Sequence, residues 1–266
     1  LCEKFVGDQP FIVYLGDNLI KGGITKYAEE FEKSMSDASV LLTKVKDPSR
    51  FGVASFDEKK KLIGMVEKPK KPPSNFALTG IYMFRPVIFE MIRKLRPSWR
   101  NELEITDAIQ MLLAERGNVG YHIVEGWWKD TGTPEDILES NRLVLDELST
   151  RQEGDVDEGA SVQGRVSIGK GSKIHRGAKI RGPSVIGEET IVDSGVYVGP
   201  YSSIGNRVQV KRGEIEDSII MDNCTIDTPH RITGSIIGNH TIIQENKSNA
   251  PKGMRLTLGE NCQLDL

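Results

Sequence analysis

From Val156 onward an aliphatic side chain returns at every sixth residue. Val156, Val162, Ile168, Ile174, Ile180, Ile186, Val192, Val198, Ile204 and Val210 hold this phase without a slip. A period of six matches neither the 3.6 residues of a helical turn nor the simple alternation of one strand. It is the signature of a hexapeptide-repeat β-helix, in which three hexapeptides make one triangular coil of about 18 residues. Each aliphatic points inward and stacks on its equivalents in the neighbouring coils. Small or β-branched residues follow four places later, at Ala160, Val166, Ser172, Ala178, Ser184, Thr190, Val196, Ser202 and Val208, where a corner leaves little room. Glycine recurs one place after the aliphatic at Gly169, Gly187, Gly199 and Gly205, where it is expected to relax the backbone. The phase breaks between Val210 and Ile220, which predicts an insertion or loop near 211–218. It resumes at Ile220, Ile226 and Ile232 and slips by one before Ile237 and Ile243; an irregular excursion over 244–254 and a last strand at Leu256–Leu258 complete the pattern.

The first half reads differently. Phe11 to Leu15 is a short, wholly apolar run, as found in a parallel sheet covered on both faces. Ile24, Tyr27, Ala28, Phe31 and Met35 follow at helical spacing, and Ser39 to Val45 is a strand again. Lys61–Val66, Ala77–Phe84 and Tyr121–Val124 are further strands; Ile88, Met91, Ile92 and Leu95 mark one helix, and Ile105, Ala108, Ile109 and Leu112 another. A last helix opens at Thr133-Pro134-Glu135-Asp136, with a threonine cap, proline at the first position and an acid at the third. Strands alternating with helices predict an α/β domain with a mainly parallel sheet over 1–150, followed by the β-helix over 151–266.

Composition narrows the function classes. With 38 acidic against 35 basic side chains, the chain has no basic field for sequence-independent nucleic-acid binding. No apolar run approaches the roughly 18 residues of a membrane span. Cys2, Cys224 and Cys262 are few, odd in number and scattered, which argues against a disulfide scaffold or a zinc site and fits a reducing cytoplasm. No signal-peptide pattern is visible, and a chain that starts at Leu1 and enters an interior-type strand almost at once is expected to continue upstream.

Several motifs carry chemistry. Gly16-Asp17-Asn18 follows the first strand directly, and ligands in open α/β sheets collect at strand carboxyl ends. Asp130, in Trp127-Trp128-Lys129-Asp130-Thr131-Gly132-Thr133, is a second acid at a strand exit. Each could simply form its turn; together, the two carboxylates suit one Mg²⁺ completed by water and phosphate oxygens. Val66-Glu67-Lys68-Pro69 sets an acceptor for sugar hydroxyls beside a cation for phosphate, or else a solvated charge pair. Arg100, opening Arg100-Asn101-Glu102-Leu103-Glu104-Ile105-Thr106-Asp107, has the fork that grips phosphate bidentately; the acids after it fit helix capping.

Together with Phe51-Gly52-Val53 and Leu78-Thr79-Gly80-Ile81-Tyr82, these motifs stand in the order of the sugar-1-phosphate nucleotidyltransferases. The chain resembles their long-form glucose-1-phosphate thymidylyltransferase branch, which carries a C-terminal hexapeptide β-helix. That resemblance implies a Rossmann-like nucleotidyltransferase domain without its N-terminal Gly-rich segment, then a left-handed parallel β-helix. It implies Asp17 and Asp130 as magnesium ligands, Glu67 and Gly52 on the sugar hydroxyls, and Lys68 and Arg100 on the sugar phosphate as catalytic cations. Leu15, Phe51, Leu78, Tyr82 and Trp128 would line the pocket. The implied partners are a sugar 1-phosphate and a nucleoside triphosphate, with no nucleic acid or membrane, in a cytoplasmic homo-oligomer. The implied reaction is dTTP plus glucose 1-phosphate giving dTDP-glucose and pyrophosphate.

Three alternatives stand beside it: uridylyl or guanylyl transfer, a bifunctional acetyltransferase on amino-sugar phosphates, and a scaffold subunit. An acyltransferase would need a histidine base from His122, His175, His230 or His240. His175 adjoins the inward Ile174 and is expected to face solvent.

Overall fold

A computed structural model describes residues 2–116, 118–245 and 263. Cys262, the strand expected at Leu256–Leu258 and the excursion beyond Glu245 lie outside the described residues. The chain divides into two compact units, Leu1–Gly132 and Thr133–Leu266.

In the first unit the elements run α1 (Glu3–Val6), β1 (Phe11–Tyr14), β2 (Asn18–Ile20), α2 (Thr25–Lys33), β3 (Ala38–Lys44), β4 (Gly52–Phe56), β5 (Leu62–Glu67), β6 (Phe76–Phe84), α3 (Ile88–Ile92), α4 (Ile105–Arg116), β7 (Val119–Ile123) and β8 (Trp128–Asp130). The main sheet has the order β5-β4-β6-β3-β7. One edge of β6 pairs with β3; the other is shared by β1, opposite Ile81–Phe84, and β4, opposite Ala77.

Alternation along the central strands explains their continuous apolar runs. Leu78, Tyr82 and Phe84 of β6, with Ala38, Val40 and Leu42 of β3, face a cluster closed by Ile88, Met91, Ala108, Ile109 and Leu112 of α3 and α4. Ile81, Met83 and Leu41 face the opposite layer, where Tyr27 and Phe31 of α2 cover them. Both faces are buried, so both sets of alternate residues must be apolar. Each fully buried large side chain contributes about 1.5–3 kcal/mol of transfer free energy.

The α/β character is as expected, but strand direction is mixed. The β3–β7 pair is parallel, whereas β1–β6, β3–β6, β4–β5 and β4–β6 are antiparallel. Apolar content reports burial and not direction, so the expectation of a mainly parallel sheet read coverage by helices as parallel pairing. The Phe11–Leu15 run shows the same limit: Phe11 and Val13 pack into the core, while Ile12 and Tyr14 are exposed.

The second unit opens with α5 (Pro134–Asp146), whose Thr133 Oγ1 accepts from the Asp136 amide at 3.2 Å, as the capping pattern predicts. Its Asn141 donates to the Tyr201 carbonyl at 2.8 Å and accepts from the Ser203 hydroxyl, while Arg142 pairs with Asp217. The rest is a parallel solenoid. Asp155, Lys173, Ile191 and Gln209 stand in one register column, 18 residues apart. Ile168, Ile174, Ile180, Ile186, Val192, Val198, Ile204 and Val210 form its continuous buried core. At the corners the Thr190 hydroxyl donates to the Gly205 carbonyl at 2.7 Å and accepts from the Val208 amide, so a buried polar atom ties two coils together.

Two details differ from expectation. The glycines after the aliphatics do not relax the backbone: a Cβ at Gly169 or Gly187 would lie 2.7 or 2.5 Å from the backbone of the next coil, so close stacking excludes it. The phase break is a contraction and not an insertion. A single strand, Gln209–Glu216, runs through the corner, Ile215 takes the inward slot, and the spacing shortens to 17 between Tyr197 and Glu214 and to 16 between Ser203 and Ile219.

Candidate active site

The β4–β5 pairing sets Gly52 opposite Glu67. An ideal Cβ at Gly52 would lie 3.0 Å from Glu67 Oε2, 3.0 Å from Thr106 Oγ1 and 3.4 Å from Leu78 Cδ1. The space is already taken, because the Thr106 hydroxyl donates to Glu67 Oε2 at 2.6 Å. Thr106 is fully buried in the first turn of α4, so the helix that seals one face of the sheet also fixes the carboxylate at its edge. With Oε2 so engaged, Oε1 is the oxygen left to accept hydroxyl hydrogens.

Arg100 lies within reach of three acids: Nη2 is 2.7 Å from Glu102, and Nη1 is 3.3 Å from Glu104 and 3.9 Å from Glu67. Glu104 is buried and also accepts from the Ser98 hydroxyl at 2.8 Å. The acids that capping would explain thus hold the arginine. Burial first, then the charge on Glu104, raise the Asp107 carboxyl above its usual range. Burial first, then the charge of Glu67, hold the Tyr82 phenol far above its usual range, so it stays a neutral hydroxyl beside Glu67. Lys68 follows β5 with φ +40°, its amide donating to the Phe51 carbonyl at 3.0 Å, and its ammonium has no acid partner among the described residues. A left-handed lysine is a strained conformation that the flanking pairing imposes.

Phe51, next to Gly52, packs edge-on against Trp128 with ring centroids 5.4 Å apart. The Trp128 indole donates to Asn18 Oδ1 at 2.9 Å and to the Thr79 carbonyl at 3.0 Å. Asn18 is buried and donates through Nδ2 to Asp17 Oδ1 at 2.8 Å. Strands β2 and β8 are antiparallel with Asn18 opposite Asp130, and the Asp17 carbonyl accepts from the Thr131 amide at 2.7 Å. Asp17 and Asp130, 113 positions apart by number (130 − 17), therefore stand one register step apart across two paired strand ends. Leu15 lies beside Gly80, whose left-handed φ of +72° and contact with Asn18 both require glycine.

All eleven residues singled out from the sequence lie in this unit, and a chain of contacts runs from Glu67 through Gly52, Phe51, Trp128 and Asn18 to Asp17. Sequence reasoning missed the positioning roles of Thr106, Glu104 and Asn18. All three sit inside quoted motifs, so motif membership was the available signal. Two carboxylates on neighbouring strand ends are a hard-oxygen donor set that fits Mg²⁺, and no cluster of three metal-binding side chains competes among the described residues. His175 faces outward, as expected, with Nδ1 3.1 Å from Asp157 and Nε2 3.9 Å from Asp193.

Residues 1–147 match the family described as nucleotidyl transferase, and residues 180–264 match the GMPPB C-terminal domain. A low-salt glycan biosynthesis nucleotidyltransferase, Agl11, of Haloferax volcanii is 48% identical over 266 residues, covering all of this chain and 74% of its own. A glucose-1-phosphate thymidylyltransferase of Streptomyces antibioticus is 40% identical over 267 residues, again with 100% and 74% coverage. Among solved structures, UDP-glucose pyrophosphorylase complexed with UDP-glucose matches at 28% identity and a TM-score of 0.50, over 55% of this chain and 60% of that one.

Proposed function

The chain belongs to the nucleotidyl transferase family, and on that premise we propose that it transfers a thymidylyl group from dTTP to glucose 1-phosphate, giving dTDP-glucose and pyrophosphate. The observation that carries the reading is the unbroken line of contacts from Glu67 to Asp17, which joins a sugar-type acceptor to a pair of acids suited to phosphate chemistry. The relatives named as glucose-1-phosphate thymidylyltransferases support the choice of sugar and base.

In this reading Glu67 Oε1 accepts from the sugar hydroxyls while Thr106 holds the other oxygen. Gly52, having no Cβ, lets the Thr106–Glu67 pair close against the β4 backbone, and Phe51, Leu78, Tyr82 and Trp128 line the ring's surroundings with Leu15. The unpaired ammonium of Lys68 meets the phosphate of the sugar phosphate. Arg100 adds a second cation once the exposed Glu102 gives way to that phosphate. A phosphate oxygen of the sugar phosphate attacks the α-phosphorus of the nucleotide, and pyrophosphate departs with the electron pair of the broken bond. Aligning two polyanions and offsetting their charge is the main catalytic task. Asp17 and Asp130 would hold Mg²⁺, which when bound neutralises phosphate charge. The proposal assigns this chemistry to 1–150 and the solenoid to 151–266, in a cytoplasmic homo-oligomer. Among the described residues no helix is long and apolar enough to cross a membrane.

Asp130→Asn tests the reading. Pyrophosphate release from dTTP and glucose 1-phosphate at saturating Mg²⁺ should fall at least about a hundredfold with an unchanged circular dichroism spectrum. Wild-type turnover in the variant would refute the assignment.

A further inference from the structure

One outer face of the solenoid has an uneven charge pattern. Lys179, Tyr197, Glu214 and Arg231 form a single register column on four successive coils, with their neighbours Ile180, Val198 and Ile215 in the core cluster and Ile232 packed against it. At the upper end one cation serves two acids: Arg231 is 2.6 Å from Glu214 and 3.3 Å from Glu216, which leaves that group one net negative charge. Arg207 and Arg212, elsewhere on the solenoid, also pair with carboxylates. Among the described residues the cations of the lower end are unpaired. Lys179 and Arg181 flank Ile180, both are exposed, and neither has a carboxylate partner among the described residues.

These two cations border a cleft of about 410 Å³ that also includes Tyr197, Glu214 and Arg231. Two glycines keep its rim open: a Cβ at Gly195 would meet nothing within 4 Å, and one at Gly177 only the Gly195 amide nitrogen at 3.7 Å. The Tyr197 ring lies along its strand over Gly199, where a Cβ would come within 3.0 Å of Cε1 and 3.1 Å of the hydroxyl. Gly199 thus lets an aromatic face lie next to the two free cations.

We propose that this cleft is a second ligand site, separate from the candidate active site, which binds the phosphate groups of a small phosphorylated molecule. Lys179 supplies a point charge and Arg181 a planar fork, the pair of donors that suits a phosphate or diphosphate. Tyr197 offers a hydroxyl to the anion and a ring face to the base or sugar that carries it. An open, mainly polar hollow of this size has room for a small anion, and two free cations are too few to hold a nucleic acid through its backbone. The Glu214–Arg231–Glu216 group at the upper end carries one net negative charge, so with Lys179 and Arg181 there are three cations against two acids and the field over the cleft stays positive by one charge. The proposal rests on the solenoid alone and holds whatever reaction the first unit catalyses.

Titration calorimetry of the full chain with pyrophosphate, and separately with dTTP, tests it. The wild type should bind with one more site per chain than Lys179→Ala/Arg181→Ala, in which affinity at the cleft falls by about tenfold or more. Pyrophosphate release at low substrate should stay at the wild-type rate in that variant. Lys179→Arg/Arg181→Lys should restore the site, and Lys179→Gln/Arg181→Gln should lose it while keeping the polar surface, which separates lost charge from misfolding. Tyr197→Ala should weaken dTTP at this site more than pyrophosphate. Identical stoichiometry and affinity in the wild type and both charge-removing variants would overturn the site; unchanged dTTP binding in Tyr197→Ala would overturn the part given to the ring.

Discussion

Thr106→Val removes one oxygen and almost no volume, and so isolates the hydrogen bond that fixes Glu67. The bond is short, 2.6 Å, its acceptor is a carboxylate, and the Thr106 side chain is fully buried. A hydrogen bond to a charged group contributes about 1.5–3 kcal/mol. If Glu67 orients the sugar, losing this restraint should lower kcat/KM for glucose 1-phosphate by about 10- to 100-fold. Glu67 would then rotate toward Arg100, the nearest cation at 3.9 Å, and lose its aim at the sugar. The assay is steady-state pyrophosphate release with each substrate varied in turn, with urea denaturation confirming the fold. The KM for dTTP should hold, because Thr106 touches only the sugar side. Glu67→Gln and the Thr106→Val/Glu67→Gln double variant complete a cycle in which the two losses should not add. A Thr106→Val enzyme with wild-type kcat/KM for the sugar phosphate would refute the argument. So would fully additive losses.

Two further tests address backbone strain and charge. Gly80→Ala should cost about 1–2 kcal/mol for its left-handed φ alone. Its Cβ would also fall 2.7 Å from Asn18 Nδ2, so turnover should drop along with the denaturation midpoint. A midpoint equal to the wild type's would show that Asn18 is not held as described. Asp157 accepts from His175 and from the Arg176 amide, which hold its carboxyl below the ordinary value. A depressed carboxyl stabilises the fold above its unfolded value, and that contribution is lost as pH falls through the folded one. Asp157→Asn should therefore melt below the wild type near neutrality, and the two curves should converge as the pH falls below about 4. A gap that widened toward acid would contradict the sign.

The six-residue period made the solenoid legible because each inward aliphatic is a local choice repeated in register, and stacking rewards that repetition directly. His175 was readable for the same reason: its neighbour Ile174 is inward, so it must face out. Contraction at the Gln209–Glu216 corner was not readable, because a lost phase looks the same in the text whether residues are added or removed. The glycine ladder was legible as a pattern but not in its cause, since only coil spacing shows that a Cβ at Gly187 would strike the next backbone. In the first unit, the central strands and helices followed from apolar spacing. Their directions did not, because burial on both faces of β3 and β6 erases the alternation that would separate one pairing from another.

The candidate site divides along the same line. Motif order, through its resemblance to the sugar-1-phosphate nucleotidyltransferases, singled out Asp17, Glu67, Lys68, Arg100 and Asp130 as candidates, since that order is written in the chain. Tertiary structure decided that Asn18 pairs opposite Asp130, that Thr106 reaches Glu67, and that Glu102 and Glu104 hold Arg100. These are meetings between segments up to 112 positions apart (130 − 18). Which strand lies beside which depends on how the whole sheet closes over its two helical layers, and no local period encodes that choice.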